Sequence, residues 1–366
     1  MERTMIRKDL EGLKPYVPGK PIEEARREYG LSRVEKLASN ENPLGPSPAA
    51  LAAMRDALAS ANFYPDPTAR ALREALAAAN GLEPDRILVG NGGEHLLSVI
   101  AQALVDRGDA AAMAETTFGV YASSVSIMGG RAVRVAPAGC SHDGPGLAAA
   151  GRDAKLVYVC NPNNPTGDIM PRREVELLAD ALPRDAVLVL DEAYYEYARS
   201  DPDYHDGVAV LKSRPNTVVL RTFSKFAGLA GMRIAYVMSS PELIGAFAKV
   251  RGVFSANSVA QAGALAALGD AEHTARTLEL NAESMKAMTA AFRERGLAYV
   301  ESRANFVFVD TGVDSMAVYE LLMRRGVLVR PGALWGKKTW LRVSTGTMEQ
   351  TGFFLKALDE AVAAAR

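Results

Sequence analysis

The stretch TFSKFAGLAGMR, residues 222–233, sets Lys225 between a hydroxyl and an aromatic ring, adds two glycines, and places Arg233 eight residues after the lysine. Alone, such a lysine reads as a solvated turn. Three further segments offer it partners. GNGGEH (90–95) follows the apolar run ILV and opens a helical stretch, so its glycines can bring backbone N–H groups up to an anion. NPNNPTG (161–167) follows KLVYVC as a rigid turn, in which Asn161 and Asn163 read as structural and Asn164 as the amide facing a ligand. DEAYYEY (191–197) follows AVLVL, and an acid ending an apolar strand is costly when buried without a partner. Either Asp191 or Glu192 can be that acid, with Tyr194 a phenol close by.

A lysine, an acid, an amide, a phenol and an anion cradle at successive strand ends suit one ligand: an aldehyde cofactor with a phosphate tail, a phenolic oxygen and a pyridine nitrogen. Lys225 would hold the aldehyde as a Schiff base, and Asp191 would keep the ring nitrogen protonated so that the ring accepts electrons. Asn164 and Tyr194 would bind the phenolic oxygen. Arg233 and the glycine turn would hold the phosphate, with Thr222 and Ser224 adding hydroxyl donors. A nicotinamide-dependent dehydrogenase built on GNGGEH is a rival from another class. It lacks the third glycine of the dinucleotide turn, where His95 stands.

Positioning these groups requires strands that end at one edge. ILVG, AAMA, RAVRV, KLVYVC, AVLVL, TVVLRT and RIAYVM are continuous apolar runs with helical stretches between them. That pattern predicts strands buried on both faces of a large, doubly wound, mostly parallel sheet in an α/β domain, expected over 46–245. Residues 1–45 read as a proline-rich arm, part of the small domain or a dimer contact. NFVFV, VLVR and WLRVS alternate with helices after a long helix around 270–295, predicting a smaller C-terminal α+β domain over 246–366.

Composition narrows the classes. At 366 residues the chain exceeds the usual range of one core. Its 42 Lys+Arg nearly balance 43 Asp+Glu, which argues against a nucleic-acid surface. No apolar run is long enough to span a membrane, the N-terminus lacks a signal-peptide core, and a cytoplasmic location is expected. Cys140 and Cys160 make no disulfide framework, the four histidines have no ligand spacing, and no metal is expected. Cys160 reads as inert core and His95 as a solvated residue at a helix start.

SNENPLGP, NFYPDP, NPNNPTG, DEAYYEY, TFSKFAGLAGMRIAY, ANFVFV, VLVRPG and WLRVSTGT occur in an order that resembles the pyridoxal-phosphate aminotransferases of the aspartate-aminotransferase fold, most closely the histidinol-phosphate aminotransferases. The resemblance covers essentially the whole chain. It implies that Lys225 is both cofactor anchor and catalytic base, with Asp191 and Tyr194 as its catalytic companions. It adds Gly93 and Glu94 to the phosphate cup through their N–H groups, and Phe118 as the ring-stacking aromatic. Tyr64 would reach the cofactor phosphate of a neighbouring subunit, so a homodimer with shared sites is implied. Arg342 would bind a substrate anion, with Tyr16, Arg330 and Asn164 also at the substrate. Small-molecule amino donors and 2-oxo acid acceptors follow. Thr116, Glu94-His95 and the order Phe226-Ala227-Gly228 depart from the family's common residues. An aromatic aminotransferase and a decarboxylase of a phosphorylated amino acid use similar parts and stand as alternatives.

Overall fold

The structure, a computed structural model, describes residues 5–13, 19–137 and 142–366; Tyr16 and Cys140 lie outside the described residues. In chain order the strands are β1 (Glu35–Lys36), β2 (Ile87–Gly90), β3 (Ala110–Ala114), β4 (Arg131–Val135), β5 (Leu156–Cys160), β6 (Val187–Asp191), β7 (Thr217–Thr222), β8 (Ala235–Met238), β9 (Phe306–Asp310), β10 (Val327–Leu328), β11 (Arg330–Pro331) and β12 (Trp340–Ser344).

The seven apolar runs form one sheet in the order β2-β8-β7-β6-β5-β3-β4. Successive side chains alternate between its faces. Leu156, Tyr158 and Cys160 join one apolar layer, while Val157 and Val159 join the opposite one. Helices Gly93–Leu104, Val120–Ile127 and Pro241–Val250 supply the first layer. Helices Gly144–Gly151 and Arg172–Ala181 cover the second, and Arg70–Asn80 with Ser258–Leu268 continues that side towards β2 and β8. Both faces are therefore covered over β2, β3 and β5–β8, which is why those strands lack a polar alternation; the edge strand β4, expected buried, instead exposes Arg131 and Arg134.

β8 is the exception to the parallel arrangement: it runs antiparallel to β2 and to β7. It begins at Ala235, two residues later than the apolar run suggests, because Arg233 adopts a left-handed backbone with φ 57°. The reversal matters for the site. The residues preceding an antiparallel strand lie at the same sheet edge as the carboxyl ends of its parallel neighbours. Arg233 thus returns to the edge where β2, β5, β6 and β7 end.

A second, antiparallel sheet runs β11-β12-β9 and packs with helices Ala271–Glu294, Ser315–Arg324 and Met348–Ala365 around Phe292, Val307, Leu341 and Phe354. The last helix opens with a reciprocal cap between Thr347 and Gln350. β1 pairs in parallel with β10, so the arm is stitched to this smaller body. The run VLVR, expected as one strand, changes partners at buried Val329: β10 pairs with β1 and β11 with β12. Among the described residues no helix is long and apolar enough to cross a membrane.

Candidate active site

The carboxyl ends of the large sheet enclose a cavity of about 400 Å³ lined by Gly93, Glu94, Phe118, Asn164, Asp191, Tyr194, Thr222, Ser224, Lys225 and Arg233. Every cofactor-site residue expected from the sequence is there except Tyr64. Two adjoining cavities, of about 170 and 530 Å³, share Phe118 and Asn164 with it and add Arg330 and Arg342.

Lys225 lies just past β7, and its Nζ donates to the Ser39 carbonyl at 2.7 Å. Burial, with Arg342 and Arg233 nearby, pulls its amine down to about 8. A lysine so placed is partly neutral near physiological pH, as a nucleophile or proton carrier needs to be. Asp191 ends β6 with its carboxylate buried. Its oxygens accept from the Tyr121 hydroxyl at 2.7 Å and the Ala193 N–H at 3.1 Å. It has no salt-bridge partner among the described residues, and burial pushes it up to about 6.

Glu192 resolves the choice between the two acids. It is also buried, but it lies on the far side of the sheet, where Arg221 forms a salt bridge with it at 2.7 Å. The Tyr204 hydroxyl and the Gly207 N–H donate to its other oxygen at 2.8 and 2.6 Å. Asp206 and Asn80 satisfy the rest of the Arg221 guanidinium. Glu192 is thus a structural acid, and Asp191 is the one that faces the cavity.

Asn164 commits its Oδ1 to the Arg342 guanidinium, which also donates to the Ala38 carbonyl at 2.6 Å. That leaves the Asn164 Nδ2 donor for a ligand in the cavity that Asn164 lines. The Tyr194 hydroxyl accepts from Asn40 Nδ2 at 2.9 Å, so its own proton remains to be donated. Asn161 and Asn163 are structural as expected. Asn161 Oδ1 accepts from the Met170 N–H at 3.0 Å, and Asn163 bonds Thr116, Thr117 and Thr166.

The anion cradle is tight. A Cβ on Gly92 would lie 2.6 Å from Arg233 Nη2, so only glycine lets the guanidinium lie across the turn that opens helix Gly93–Leu104. The Thr222 hydroxyl donates to Ser224 Oγ at 2.9 Å. Gly231 lines the cavity, whereas Gly228 serves the chain itself: at φ 68° its Cβ would strike the Gly45 carbonyl at 2.2 Å. His95 is half-buried rather than solvated, its Nδ1 accepting from the Asn91 N–H at 3.2 Å to close the turn. Cys160 is buried as expected, and burial pushes its thiol far up, which keeps it inert. Tyr64 is 81% exposed and stacks on Phe254 with 4.4 Å between centroids, outside its own chain's cavity.

Three partners escaped the sequence reading: Tyr121 on Asp191, Asn40 on Tyr194 and Ser39 on Lys225. Tyr121 stands three residues after Phe118, a spacing that could have flagged it. Ser39 and Asn40 open the quoted segment SNENPLGP.

A buried acid with neutral donors only, a lysine, an aimed amide and phenol, and an arginine cradle fit an aldehyde-bearing pyridine phosphate. The aminotransferase class I and II profile matches residues 32–358. The chain belongs to this family. It is 43% identical over 97% of its length to histidinol-phosphate aminotransferase 2 of Carboxydothermus hydrogenoformans, covering 98% of that protein. To the Moorella thermoacetica histidinol-phosphate aminotransferase it is 42% identical, with 98% of this chain and 93% of the relative covered. Among solved structures, the Sinorhizobium meliloti histidinol-phosphate aminotransferase in complex with pyridoxal 5′-phosphate superposes with a TM-score of 0.92 at 34% identity, covering 100% and 99% of the two chains. Thermus thermophilus aspartate aminotransferase with maleate superposes at 0.85 and 25% identity, with both chains fully covered. The expected fold and transaminase class hold.

Proposed function

We propose that this chain is a pyridoxal-phosphate-dependent histidinol-phosphate aminotransferase, exchanging an amino group between histidinol phosphate with 2-oxoglutarate and imidazole-acetol phosphate with glutamate. One observation carries the substrate side: Arg330 and Arg342 stand directly opposite on β11 and β12, both lining cavities that adjoin Lys225's. Two guanidiniums at facing strand positions beside these cavities offer forked donors that suit an anion.

The cofactor, when bound, supplies an aldehyde that condenses with amines and a ring that takes up electrons. Arg233, Thr222, Ser224 and the N–H groups of Gly93 and Glu94 would hold its phosphate, and Asn164 Nδ2 with the Tyr194 hydroxyl its phenolic oxygen. Asp191 would hold a proton at the ring nitrogen. Such a pairing would give the buried carboxylate a direct cationic partner, and the Tyr121 hydroxyl would keep it oriented. Lys225, with its amine near neutrality, moves the proton at the substrate's Cα. Phe118, which lines the cavity, would wall the ring, and Arg342 with Arg330 would position the substrate anion. The same fork suits a phosphate in one half-reaction and a carboxylate in the other. Tyr16 belongs to this proposal on sequence grounds alone.

A homodimer with shared sites is part of the same reading. Phe63, Tyr64, Val253 and Phe254 are exposed around the Tyr64–Phe254 stack, a surface suited to a second copy. We assign the enzyme to the cytoplasm. We also place the domain division at helix Ala271–Glu294, since helices Pro241–Val250 and Ser258–Leu268 pack on the large sheet's layers.

The test is a single half-reaction. Cofactor-loaded protein receives histidinol phosphate or phenylalanine at equal concentration, and the cofactor's absorbance is followed. Fast, saturable conversion with histidinol phosphate supports the proposal. Faster conversion with phenylalanine moves the substrate to aromatic amino acids.

A further inference from the structure

The chain between β11 and β12 folds back on the arginine that β12 carries. Residues Gly332–Trp335 form a short 3₁₀ turn, tied by the Gly336 N–H to the Ala333 carbonyl at 3.1 Å and the Lys337 N–H to the Gly332 carbonyl at 3.0 Å. The Ala333 N–H also reaches Ser315 Oγ at 3.3 Å, which fastens the turn to helix Ser315–Arg324. This places the Trp335 indole with its centroid 5.4 Å from Arg342 Cζ. The Phe306 ring, from β9, lies at the same 5.4 Å. Phe306 is fully buried and Trp335 only half-buried. Trp335 also lines the cavity of about 530 Å³ together with Phe118, Arg330 and Arg342.

We propose that Trp335 is a positioning residue for the substrate anion: its indole face holds the Arg342 guanidinium in the orientation that receives the anion and walls the pocket for the substrate's side chain. The physical case has three parts. A guanidinium within about 6 Å of an aromatic centroid is held by the ring quadrupole, most strongly by indole. Arg330 stands opposite Arg342 on the neighbouring strand, so the orientation of the Arg342 fork decides which donors face an anion between them. Hydrogen bonds to Asn164 Oδ1 and the Ala38 carbonyl fix two of its nitrogens, and aromatic faces limit its tilt. The inference rests on the reading of Arg342 as the anion's anchor.

The experiment uses cofactor-loaded enzyme with Trp335→Leu, Trp335→Phe and Arg342→Lys, and measures kcat and KM for histidinol phosphate and for 2-oxoglutarate. Leucine fills space without a π face, and phenylalanine keeps one. Trp335→Leu is expected to raise KM for both anions about three- to thirtyfold while kcat changes less than about threefold. Trp335→Phe is expected to recover most of the loss, which a purely space-filling role would not produce. Unchanged KM values in Trp335→Leu, or equal impairment in the two Trp335 variants, overturn the proposal. If Arg342→Lys is impaired while Trp335→Leu is not, the proposal alone fails. If Arg342→Lys binds both anions normally, the anchor reading fails with it. Melting curves accompany each variant, and Trp335→Met replaces the leucine variant should that one not fold.

Discussion

Asp191 and Glu192 are consecutive, both are buried, and they face opposite sides of the same sheet edge. Glu192 meets a guanidinium, a phenol and a backbone N–H within the protein, so its charge is answered by the fold itself. Asp191 meets a phenol and one backbone N–H, and the residue lines the cavity. Burial pushes both carboxyls up. Burial therefore does not distinguish the acid that faces Arg221 from the acid that faces the cavity. What distinguishes them is their surroundings: Glu192 lies against the Arg221 guanidinium, whereas Asp191 has no salt-bridge partner among the described residues and lines the cavity.

The comparison can be broken in four ways, the largest effect first. Lys225→Ala removes the cavity's amine, and turnover should fall by at least about 10³- to 10⁴-fold. Reduction with borohydride should then leave no cofactor attached to the chain, as mass spectrometry would reveal. Normal activity in this variant would end the whole functional reading.

Next come the two acids. Glu192→Ala leaves Arg221 with Asp206 as its remaining carboxylate partner and takes the acceptor from the buried Gly207 N–H, and should destabilise the protein by about 1–3 kcal/mol for each donor left without an acceptor, as denaturant melts would read. Asp191→Asn should leave the cofactor-free protein at least as stable, yet lower turnover by roughly 10²- to 10⁴-fold. Similar stability losses in both would erase the distinction.

Third is pH. Asp191 is raised from 3.8 to about 6, so the cofactor-free fold holds this proton more tightly than the unfolded chain does. Its contribution is present below pH 4 and is lost as pH rises through 6, with a slope of at most about 1.4 kcal/mol per pH unit. Asp191→Asn should flatten that part of a stability–pH curve. On the lysine side, the neutral amine reacts and Lys225 sits at about 8. Its labelling by an aldehyde in cofactor-free protein should therefore drop about tenfold per pH unit below 8 and level off above it.

Smallest is Tyr121→Phe. Losing one hydrogen bond to a carboxylate should cost about 1.5–3 kcal/mol of the ionised form's stabilisation. The stability–pH midpoint assigned to Asp191 should move further up, and an unchanged midpoint would show that the phenol does not orient this acid.

The residue types at the strand ends, the continuous apolar strands and the Lys225–Arg233 spacing were all legible in the sequence. These are local features: turn chemistry, two-sided burial and short motifs leave their mark within a few residues. The sequence by itself also determined that an acid ending this apolar strand needs either a cationic partner or a place at a cavity. Only the tertiary structure decided which acid of the Asp191-Glu192 pair takes which. Alternation along β6 sends the two side chains to opposite faces, and long-range packing decides that Arg221 meets one of them while a cavity meets the other. The reversed β8 that brings Arg233 back to the edge, and the contacts Ser39–Lys225, Asn40–Tyr194 and Tyr121–Asp191, belong to the same class. They join residues 186, 154 and 70 positions apart. Such pairs carry no local period, and they exist only once the sheet order and the docking of the arm have been set.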